Sequence, residues 1–223
     1  MKLAALCSGG KDSIFALWLA MKEHEIEKII FVLPQREDSW MFHHPNVHLY
    51  ELFSKCIGIP VEGLGFTGGK REEIPFLEKI LKKADVEGIV SGVISSKFQK
   101  NNLDEVCRKL RKSHIAPLWN REPEEVLREE LRSGISFIIT GVFAEGLGKE
   151  WLGKKVGEDE VRKFLELSKK YGINPCGEGG EYETLVLDAP FFKFRIKIDE
   201  AEILWDGLRG VYLVKKAELE EKK

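Results

Sequence analysis

The chain has 223 residues, of which 43% are hydrophobic, which suffices for one large domain or two small ones with a proper core. Its 35 lysines and arginines nearly balance 37 aspartates and glutamates, for a formal net charge of -2, so a nucleic acid held by bulk electrostatics is not a favoured partner. The sequence contains no apolar run of about 18 residues and no signal-peptide pattern, so we expect no membrane role and a cytoplasmic location.

The first part of the chain alternates short apolar runs with longer helical patterns, which is typical of a parallel sheet covered by helices. The apolar spacing predicts strands at residues 2–7, 29–33, 61–66, 88–93 and 114–118. It predicts helices at residues 13–24, 47–57, 72–84 and 97–112. We therefore expect a doubly wound α/β fold with a parallel sheet.

The organisation changes after about residue 120, where no flexible linker marks the boundary. Helices are predicted at residues 123–132 and 161–171, with a strand at 135–141 between them. The C-terminal stretch favours β structure, with a hairpin of residues 191–198 and 201–205 turning at Asp199 and Glu200, and a further strand at 211–214. The charged tail 218–223 is expected to fray. This part is predicted to be a smaller α+β domain.

The four cysteines give no sign of a metal or redox centre. They are scattered, without a Cys-x-x-Cys pair or a histidine at metal-ligand spacing, which argues against structural zinc, iron–sulfur and dithiol chemistry. We expect Cys7, Cys56, Cys107 and Cys176 to be reduced packing residues.

Residues 8–13, Ser-Gly-Gly-Lys-Asp-Ser, lie between the first predicted strand and the first predicted helix, and we call them the phosphate loop. A glycine pair there lets the backbone come close to a phosphate, and a helix start offers unpaired N–H groups and a positive dipole end. Lys11 would add a mobile cation, and Ser8 and Ser13 would add hydroxyl donors. An acid beside a polyphosphate is repelled unless it caps the helix or helps to hold Mg²⁺, so Asp12 favours a metal-bound nucleotide.

The phosphate loop does not fit the Walker A pattern Gly-x-x-x-x-Gly-Lys-Ser/Thr. It resembles the Ser-Gly-Gly-x-Asp-Ser loop of the ATP pyrophosphatases, which cleave ATP between its α and β phosphates. That resemblance implies a parallel sheet of the HUP or adenine nucleotide alpha-hydrolase type, with adenosine across the carboxyl ends of the central strands. Ligands of open α/β sheets are expected at that edge. Leu6, Leu33 and the Ser91-Gly92 step would then flank the adenosine.

Two further segments carry candidate ligand groups. Residues 91–96 (Ser-Gly-Val-Ile-Ser-Ser), here the serine segment, end a predicted strand with hydroxyls that could approach a ribose or a phosphate. The Ser-Ser pair is equally a pair of candidate helix N-caps. Residues 177–184 (Gly-Glu-Gly-Gly-Glu-Tyr-Glu-Thr), here the acidic motif, place three carboxylates and one aromatic ring in a glycine-rich turn. An extended chain from Tyr182 would send Tyr182 and Thr184 to one face and Glu181 and Glu183 to the other. A solvated acidic loop is the alternative.

Five segments together resemble the diphthine–ammonia ligase family: the phosphate loop, residues 41–43 with Pro45 and Asn46, residues 91–99, residues 117–119 and the acidic motif. The resemblance spans nearly the whole chain. It implies the last step of diphthamide synthesis on translation elongation factor 2, in which ATP, ammonium and diphthine give diphthamide, AMP and pyrophosphate. The chain departs from the family pattern at Asn101 and Asn102, where an arginine often follows Gln-Lys, and this weakens any role for a cation there.

The resemblance implies an ATP-binding pyrophosphatase domain at residues 1–120 and an acceptor-substrate domain at residues 121–223. The expected ATP contacts are Leu6, Ser8, Gly9, Gly10, Lys11, Asp12, Ser13, Leu33, Ser91, Gly92, Ser95 and Ser96. The expected acceptor contacts are Glu178, Gly180, Glu181, Tyr182, Glu183 and Thr184. The expected catalytic residues are Lys11, Asp12, Glu181 and Glu183, with Asp12 also a ligand of Mg²⁺.

The chemistry of an amide ligase suits these residues. Adenylation of a carboxylate expels pyrophosphate, and Lys11, the loop N–H groups and Mg²⁺ would stabilise the charge that develops. The trimethylammonium group of diphthine is held best by aromatic faces and carboxylates, which the acidic motif offers. The same carboxylates could instead bind the incoming ammonium. Free ammonium is the expected nitrogen source, because no catalytic cysteine context for glutamine hydrolysis is evident. His43, His44 and His48 could lie near the adenine.

Two other functions compete with the ligase. A transfer-RNA-modifying ATP pyrophosphatase would share the phosphate loop, but its thiolating members usually need paired cysteines and its RNA-binding members a basic surface. A sensor that binds ATP without turnover would not require the acidic motif. The sequence leaves the oligomeric state open, and a homo-oligomer is compatible with it.

Overall fold

The computed structural model describes residues 1–34 and 46–222, and the first predicted sheet is present in it. Its strands are β1 (Lys2–Cys7), β2 (Glu25–Pro34), β3 (Val61–Phe66), β4 (Gly88–Val90) and β5 (Ser113–Ile115). They are all parallel, in the order β3-β2-β1-β4-β5. The central strands are continuous apolar runs because both faces of the sheet are covered.

Helices cover both faces of this sheet, namely α1 (Lys11–Met21), α2 (Tyr50–Ile57), α3 (Glu73–Lys83) and α4 (Lys97–Lys109). Phe15 of α1 and Phe53 of α2 belong to one apolar cluster, whereas Leu77 of α3 and Leu103 of α4 belong to a second. The predicted doubly wound α/β fold is confirmed. No helix within residues 1–34 and 46–222 has the length and apolar character needed to cross a bilayer.

The strand order reverses between β1 and β4. The chain runs outward from β1 through β2 to β3, then restarts at β4 and runs the other way to β5. Such a switch point leaves a crevice at the carboxyl ends of the strands, where open α/β sheets bind ligands. The phosphate loop follows β1 and the serine segment follows β4, and they touch: a Cβ at Gly92 would lie 2.7 Å from the carbonyl carbon of Asp12.

A second, antiparallel sheet comprises β6 (Ser136–Val142), β7 (Tyr182–Asp188), β8 (Phe194–Trp205) and β9 (Gly210–Glu221), in the order β7-β6-β9-β8. Two helices accompany it, α5 (Pro123–Arg132) and α6 (Glu158–Tyr171), which pack against each other. This arrangement matches the predicted α+β part, and the acidic motif leads directly into β7.

The two sheets share one apolar core. A single cluster contains Phe15 of α1, Val126 of α5, Phe137 of β6 and Leu185 of β7. The predicted boundary near residue 120 falls between β5 and α5, and the division into two functional domains stays a prediction. The four cysteines are buried as free thiols, as the sequence indicated.

The predicted hairpin turn at Asp199 and Glu200 is wrong. Strand β8 continues through both residues, with only a shift in its register against β9. The turn lies at residues 206–209, where the Asp206 carboxylate accepts hydrogen bonds from the backbone N–H groups of Leu208 (2.8 Å) and Arg209 (2.7 Å). An Asp-Gly pair between apolar residues is a strong hairpin signal, so this turn was available in the sequence.

The prediction of a frayed C-terminal tail is also wrong. Strand β9 extends to Glu221 and pairs with β8 over its whole length. Charged residues alternate with apolar ones there, so the charges face solvent on a paired strand. Glu218, for example, accepts a hydrogen bond from Lys197 across the strands (2.7 Å).

Asn46 and His48 join the first part of the chain to the second sheet. The Asn46 side chain, 1% exposed, donates to the Tyr212 carbonyl oxygen (3.0 Å) and accepts from the Val214 N–H (2.9 Å). His48 Nε2 lies 3.0 Å from the Val214 carbonyl oxygen. The suggestion that His48 lies near the adenine stays a prediction. His43 and His44, like residues 41–43 of the family pattern, lie outside the described residues.

We predict that Asn46→Ala lowers the free energy of unfolding by about 1–3 kcal/mol, because it leaves buried backbone groups of β9 without their partners. Urea unfolding followed by circular dichroism measures the change. Asn101→Ala, at an exposed position of α4, is the matched control and should change stability by less than about 0.5 kcal/mol. Equal effects of the two substitutions would contradict the bridging role of Asn46.

Candidate active site

The phosphate loop is a tight turn held by its own hydroxyl groups. Gly9 has φ +81°, a left-handed conformation that favours glycine, and a Cβ there would lie 2.9 Å from the Phe53 ring. Ser13 Oγ donates to the Gly10 carbonyl oxygen (3.0 Å) and accepts from the Ser8 N–H (3.3 Å). These bonds preform the loop at the amino end of α1, where the helix dipole favours an anion.

Lys11 is the first residue of α1, and its side chain is fully buried between the two sheets. Its Nζ donates to Asp12 Oδ1 (2.6 Å) and to the Cys176 carbonyl oxygen (3.1 Å), and lies 3.5 Å from Glu130 Oε2. Burial by itself lowers the pKa of Lys11, but the neighbouring acids, Asp12 first, outweigh it and raise the pKa, so the group stays an ammonium. The expectation of a mobile cation is therefore wrong, whereas a role of Lys11 towards ATP stays a prediction.

Glu130 of α5 is a member of this site that sequence reasoning missed. It is 0% exposed, and its Oε2 lies 3.5 Å from Lys11 Nζ. Burial raises the pKa of Glu130 well above its ordinary value, and Lys11 only partly opposes this. One signal could have found it: Glu130 shares the buried face of α5 with Val126 and Leu127, an unusual place for a carboxylate.

The acidic motif docks onto the phosphate loop through β7. The Lys11 N–H donates to Thr184 Oγ1 (3.1 Å), and the Val186 N–H donates to the Gly9 carbonyl oxygen (2.9 Å). The Tyr182 ring is also turned to this side, with its centroid 5.8 Å from Lys11 Nζ. Tyr182 and Thr184 thus share one face of the strand, as alternation predicted.

Both residues are buried beside the loop, and a role of either towards the acceptor stays a prediction. Each is 5% exposed. The Tyr182 hydroxyl donates to the Pro175 carbonyl oxygen (2.6 Å), and its ring packs edge-on against Phe164 at 4.5 Å between centroids. The expectation that Tyr182 presents an open aromatic face to a trimethylammonium group is therefore wrong, and the Thr184 hydroxyl serves the phosphate loop.

The carboxylates of the acidic motif differ in their surroundings. Burial, with help from the nearby Asp12 charge, raises the pKa of Glu183 to about 8, although Lys11 opposes the shift. Glu181 accepts a hydrogen bond from the Asn174 N–H (2.9 Å) through one oxygen, and its other oxygen is buried without a partner among the described residues. Gly180, with φ +82°, has open space around it.

Glu178 joins the acidic motif to the serine segment. Its carboxylate accepts hydrogen bonds from the N–H groups of Ile94 (2.6 Å) and Ser95 (2.5 Å), and from the Ser95 hydroxyl. Ser96 is the N-cap of α4 and accepts from the Gln99 N–H (3.4 Å), so the helix-capping alternative holds for Ser96. The segment therefore holds Glu178 through two backbone N–H groups and the Ser95 hydroxyl, and it caps α4 through the Ser96 hydroxyl.

The remaining predicted ATP contacts lie at the carboxyl ends of their strands. Leu6 and Leu33 are half-buried near the ends of β1 and β2. Ser91 follows β4, and its hydroxyl forms a hydrogen bond with His114 of β5 (2.8 Å), a partner that sequence reasoning did not identify. Asp12 is 29% exposed through its side chain and could supply one carboxylate to Mg²⁺, which proteins usually hold by one or two carboxylates together with phosphate oxygens. The described residues contain no cluster of three or more metal-ligating side chains.

The phosphate loop, the serine segment and the acidic motif thus meet at one edge of the first sheet. An anion bound at the amino end of α1 would lie beside the carboxylates of the acidic motif. Such an arrangement can hold a polyphosphate at one side and a cation or an acceptor at the other.

We predict that Glu183 makes stability fall as pH rises. Because its pKa is about 8 in the folded chain against an ordinary 4.5, the folded state binds the proton more tightly, and this stabilisation is complete below pH 4.5 and is lost as pH rises through 8. Glu183→Gln should therefore gain stability relative to the parent chain between pH 5 and 9 in urea unfolding. Glu166→Gln, at an exposed position of α6, should give a difference independent of pH, and a flat difference for Glu183→Gln would contradict the raised pKa.

Comparisons with known proteins cover both parts of the chain. The family profile of the diphthamide synthase N-terminal domain matches residues 1–112, and that of the diphthamide synthase C-terminal domain matches residues 122–219. A Rattus norvegicus protein named diphthine–ammonia ligase is 37% identical, over 91% of this chain and 84% of its own. The Homo sapiens protein of that name is 35% identical, over 92% and 85%, and the Danio rerio protein is 33% identical, over 91% and 88%.

One solved structure, titled as a predicted subunit of tRNA methyltransferase from Methanocaldococcus jannaschii, aligns with a TM-score of 0.48 at 16% identity, over 85% of this chain and 98% of that one. A likeness at this level carries no argument about activity. The family profiles and the full-length relatives agree with each other and with the motifs assembled at the crevice: the chain belongs to the diphthamide synthase family.

Proposed function

We propose that this chain is a diphthine–ammonia ligase: it uses ATP to join ammonium to the carboxylate of diphthine on translation elongation factor 2, giving diphthamide, AMP and pyrophosphate. The observation that carries the proposal is the direct contact between the phosphate loop and the acidic motif, in which Thr184 accepts from the Lys11 N–H. The contact sets the part suited to phosphate beside the part suited to a small cation, in a family whose relatives bear this name.

The first half of the reaction activates the acceptor carboxylate. A carboxylate oxygen attacks the α-phosphorus of ATP, pyrophosphate leaves, and an acyl adenylate forms. The amino end of α1 would hold the phosphates, and Gly9 and Gly10 allow their close approach. Mg²⁺, held by Asp12 and phosphate oxygens, would supply positive charge. Lys11 acts from its buried position by adding a positive field and by fixing Asp12 at 2.6 Å.

The second half transfers nitrogen to the acyl adenylate, with loss of AMP. Ammonia must approach the carbonyl carbon, and the ammonium from which it derives is a small cation that carboxylates bind. Glu181, one of whose oxygens is buried without a partner among the described residues, is the group best suited to bind it. The burial of Tyr182 supports ammonium over trimethylammonium as the ligand, since Tyr182 is only 5% exposed. We assign Glu178 and the open space at Gly180 to binding of the acceptor chain.

We predict that pyrophosphate release requires the diphthine-bearing elongation factor together with ATP, Mg²⁺ and ammonium, and that mass spectrometry of the factor detects amide formation. Transfer RNA replaces the factor in a parallel reaction. Release that depends only on transfer RNA would replace the ligase by an RNA-modifying enzyme, and tight ATP binding without any pyrophosphate would replace it by a sensor.

We further predict that Glu181→Gln raises the KM for ammonium at least about tenfold, the effect of losing a charged hydrogen-bond partner, while the affinity for ATP stays within twofold. Glu166→Gln on α6 is the control and should behave as the parent chain. Unchanged ammonium kinetics in the Glu181 variant would remove that residue from the nitrogen site without affecting the proposed reaction.

A further inference from the structure

Three side chains beside the crevice form a continuous hydrogen-bonded relay. Ser91, at the end of β4, lies 2.8 Å through Oγ from Nε2 of His114 on β5. The other ring nitrogen, Nδ1, lies 2.7 Å from Asp104 Oδ1 on α4. The relay runs outward from the interior: the His114 ring is 2% exposed and Asp104 is 43% exposed. None of its members is used to hold the phosphate loop.

The chemistry of the three side chains determines which group donates and which accepts in each hydrogen bond of the relay. Partial burial works against ionisation of Asp104, but hydrogen bonds from Lys100 and His114 outweigh it and lower its pKa, so Asp104 is a carboxylate and only accepts. Nδ1 of His114 must therefore carry a hydrogen. Burial lowers the pKa of His114 despite Asp104, so near neutral pH the ring is neutral and Nε2 accepts. The Ser91 hydroxyl then donates its single hydrogen to Nε2.

A serine whose hydrogen is committed in this way can only accept from a third group. Ser91 stands at the carboxyl end of β4, next to β1 at the switch point. Its neighbour Gly92 packs on the Asp12–Ser13 peptide at the start of α1. A nucleotide with its phosphates on the loop would extend across this strand end and pass close to Ser91.

We propose that the Ser91–His114–Asp104 relay makes Ser91 a specificity-determining acceptor for a hydrogen-bond donor of the bound nucleotide, either a ribose hydroxyl or the exocyclic amine of adenine. His114 and Asp104 are positioning residues in this scheme. The inference rests on the proposed ATP site. It adds that, in one contact of that site, the protein accepts the hydrogen bond and the nucleotide donates it. Holding β4 to β5 does not require the trio, because the two strands already pair through their backbones and an apolar pair would pack there at little or no loss.

The test is a double-mutant cycle between the protein and the nucleotide, with binding measured by calorimetry. The full chain, Ser91→Ala and His114→Gln are each titrated with ATP and with the triphosphates of 2′-deoxyadenosine, 3′-deoxyadenosine and purine riboside, each of which lacks one donor. We expect Ser91→Ala to weaken ATP binding about 3–10-fold, as for one hydrogen bond. One analogue should bind the parent chain weaker by the same factor and bind the Ser91 variant no worse than ATP. Which analogue shows this identifies the donor.

Ser113→Ala, at the amino end of β5 and away from the crevice, is the matched control and should bind ATP as the parent chain does. Thermal melts of all variants establish that they are folded. Two results would overturn the inference while leaving the proposed function intact. One is that, for every analogue, the losses of binding free energy from the substitution and from the missing donor are additive. The other is a Ser91→Ala variant that binds ATP as tightly as the parent chain. A parent chain that binds no ATP would overturn both.

Measuring the preference for ATP over the analogue at several pH values gives a second test. A purely structural role of the relay would not make this preference depend on pH. The charged groups that act on His114 are Asp104 and Lys100 of α4, and β4 presents the Ser91 hydroxyl to it. When acid protonates His114, Nε2 becomes a donor, Ser91 must accept from it, and the serine hydrogen turns towards the ligand. The parent chain's preference for ATP over the identified analogue should then disappear on acidification, whereas the His114→Gln variant should show no such transition. A preference independent of pH in the parent chain would overturn the relay.

Discussion

The buried ammonium of Lys11 is the constraint on which the arrangement of the site depends. An isolated charge in an apolar interior is strongly unfavourable, so it must be surrounded by acceptors. Here its polar neighbours come from three separate segments: Asp12 from α1, Glu130 from α5 and the Cys176 carbonyl group from the approach to the acidic motif. Each is held by the same cation, so the start of α1, α5 and the acidic motif cannot shift independently. The phosphate loop is positioned from the second sheet as much as from the first.

Much of the fold could be predicted because it follows from local patterns. The alternation of apolar strands and amphipathic helices gave the parallel sheet, and the phosphate loop lies where a strand passes into a helix. The turn at Asp206 and Gly207 also follows from a local pattern, the Asp-Gly pair, whereas the charged pair at residues 199 and 200 lies within β8. The extent of β9 is different in kind, since a charged terminal stretch becomes a strand only because β8 is available to pair with it.

The site was harder to predict where the contacts of a side chain depend on residues that are distant in sequence. Alternation placed Tyr182 and Thr184 on one face correctly, but it could not say that this face meets Lys11 instead of an open cavity. The direction of Lys11 itself depends on Glu130, which lies far from it in sequence. The family resemblance, by contrast, needed only the motifs, and the two family profiles confirm it.

The shared apolar core limits how the molecule can move. Enzymes that close over a substrate by a hinge keep two separately packed bodies with a thin connection between them. In this chain α1 packs in the same cluster as β6 and β7, so a hinge opening between the sheets would expose close-packed apolar surface and break the contacts of Lys11. A bulky protein acceptor therefore has to present its side chain to a crevice of nearly fixed width. Adjustment during turnover is confined to segments outside that cluster. The acceptor must therefore have a shape that already fits the crevice.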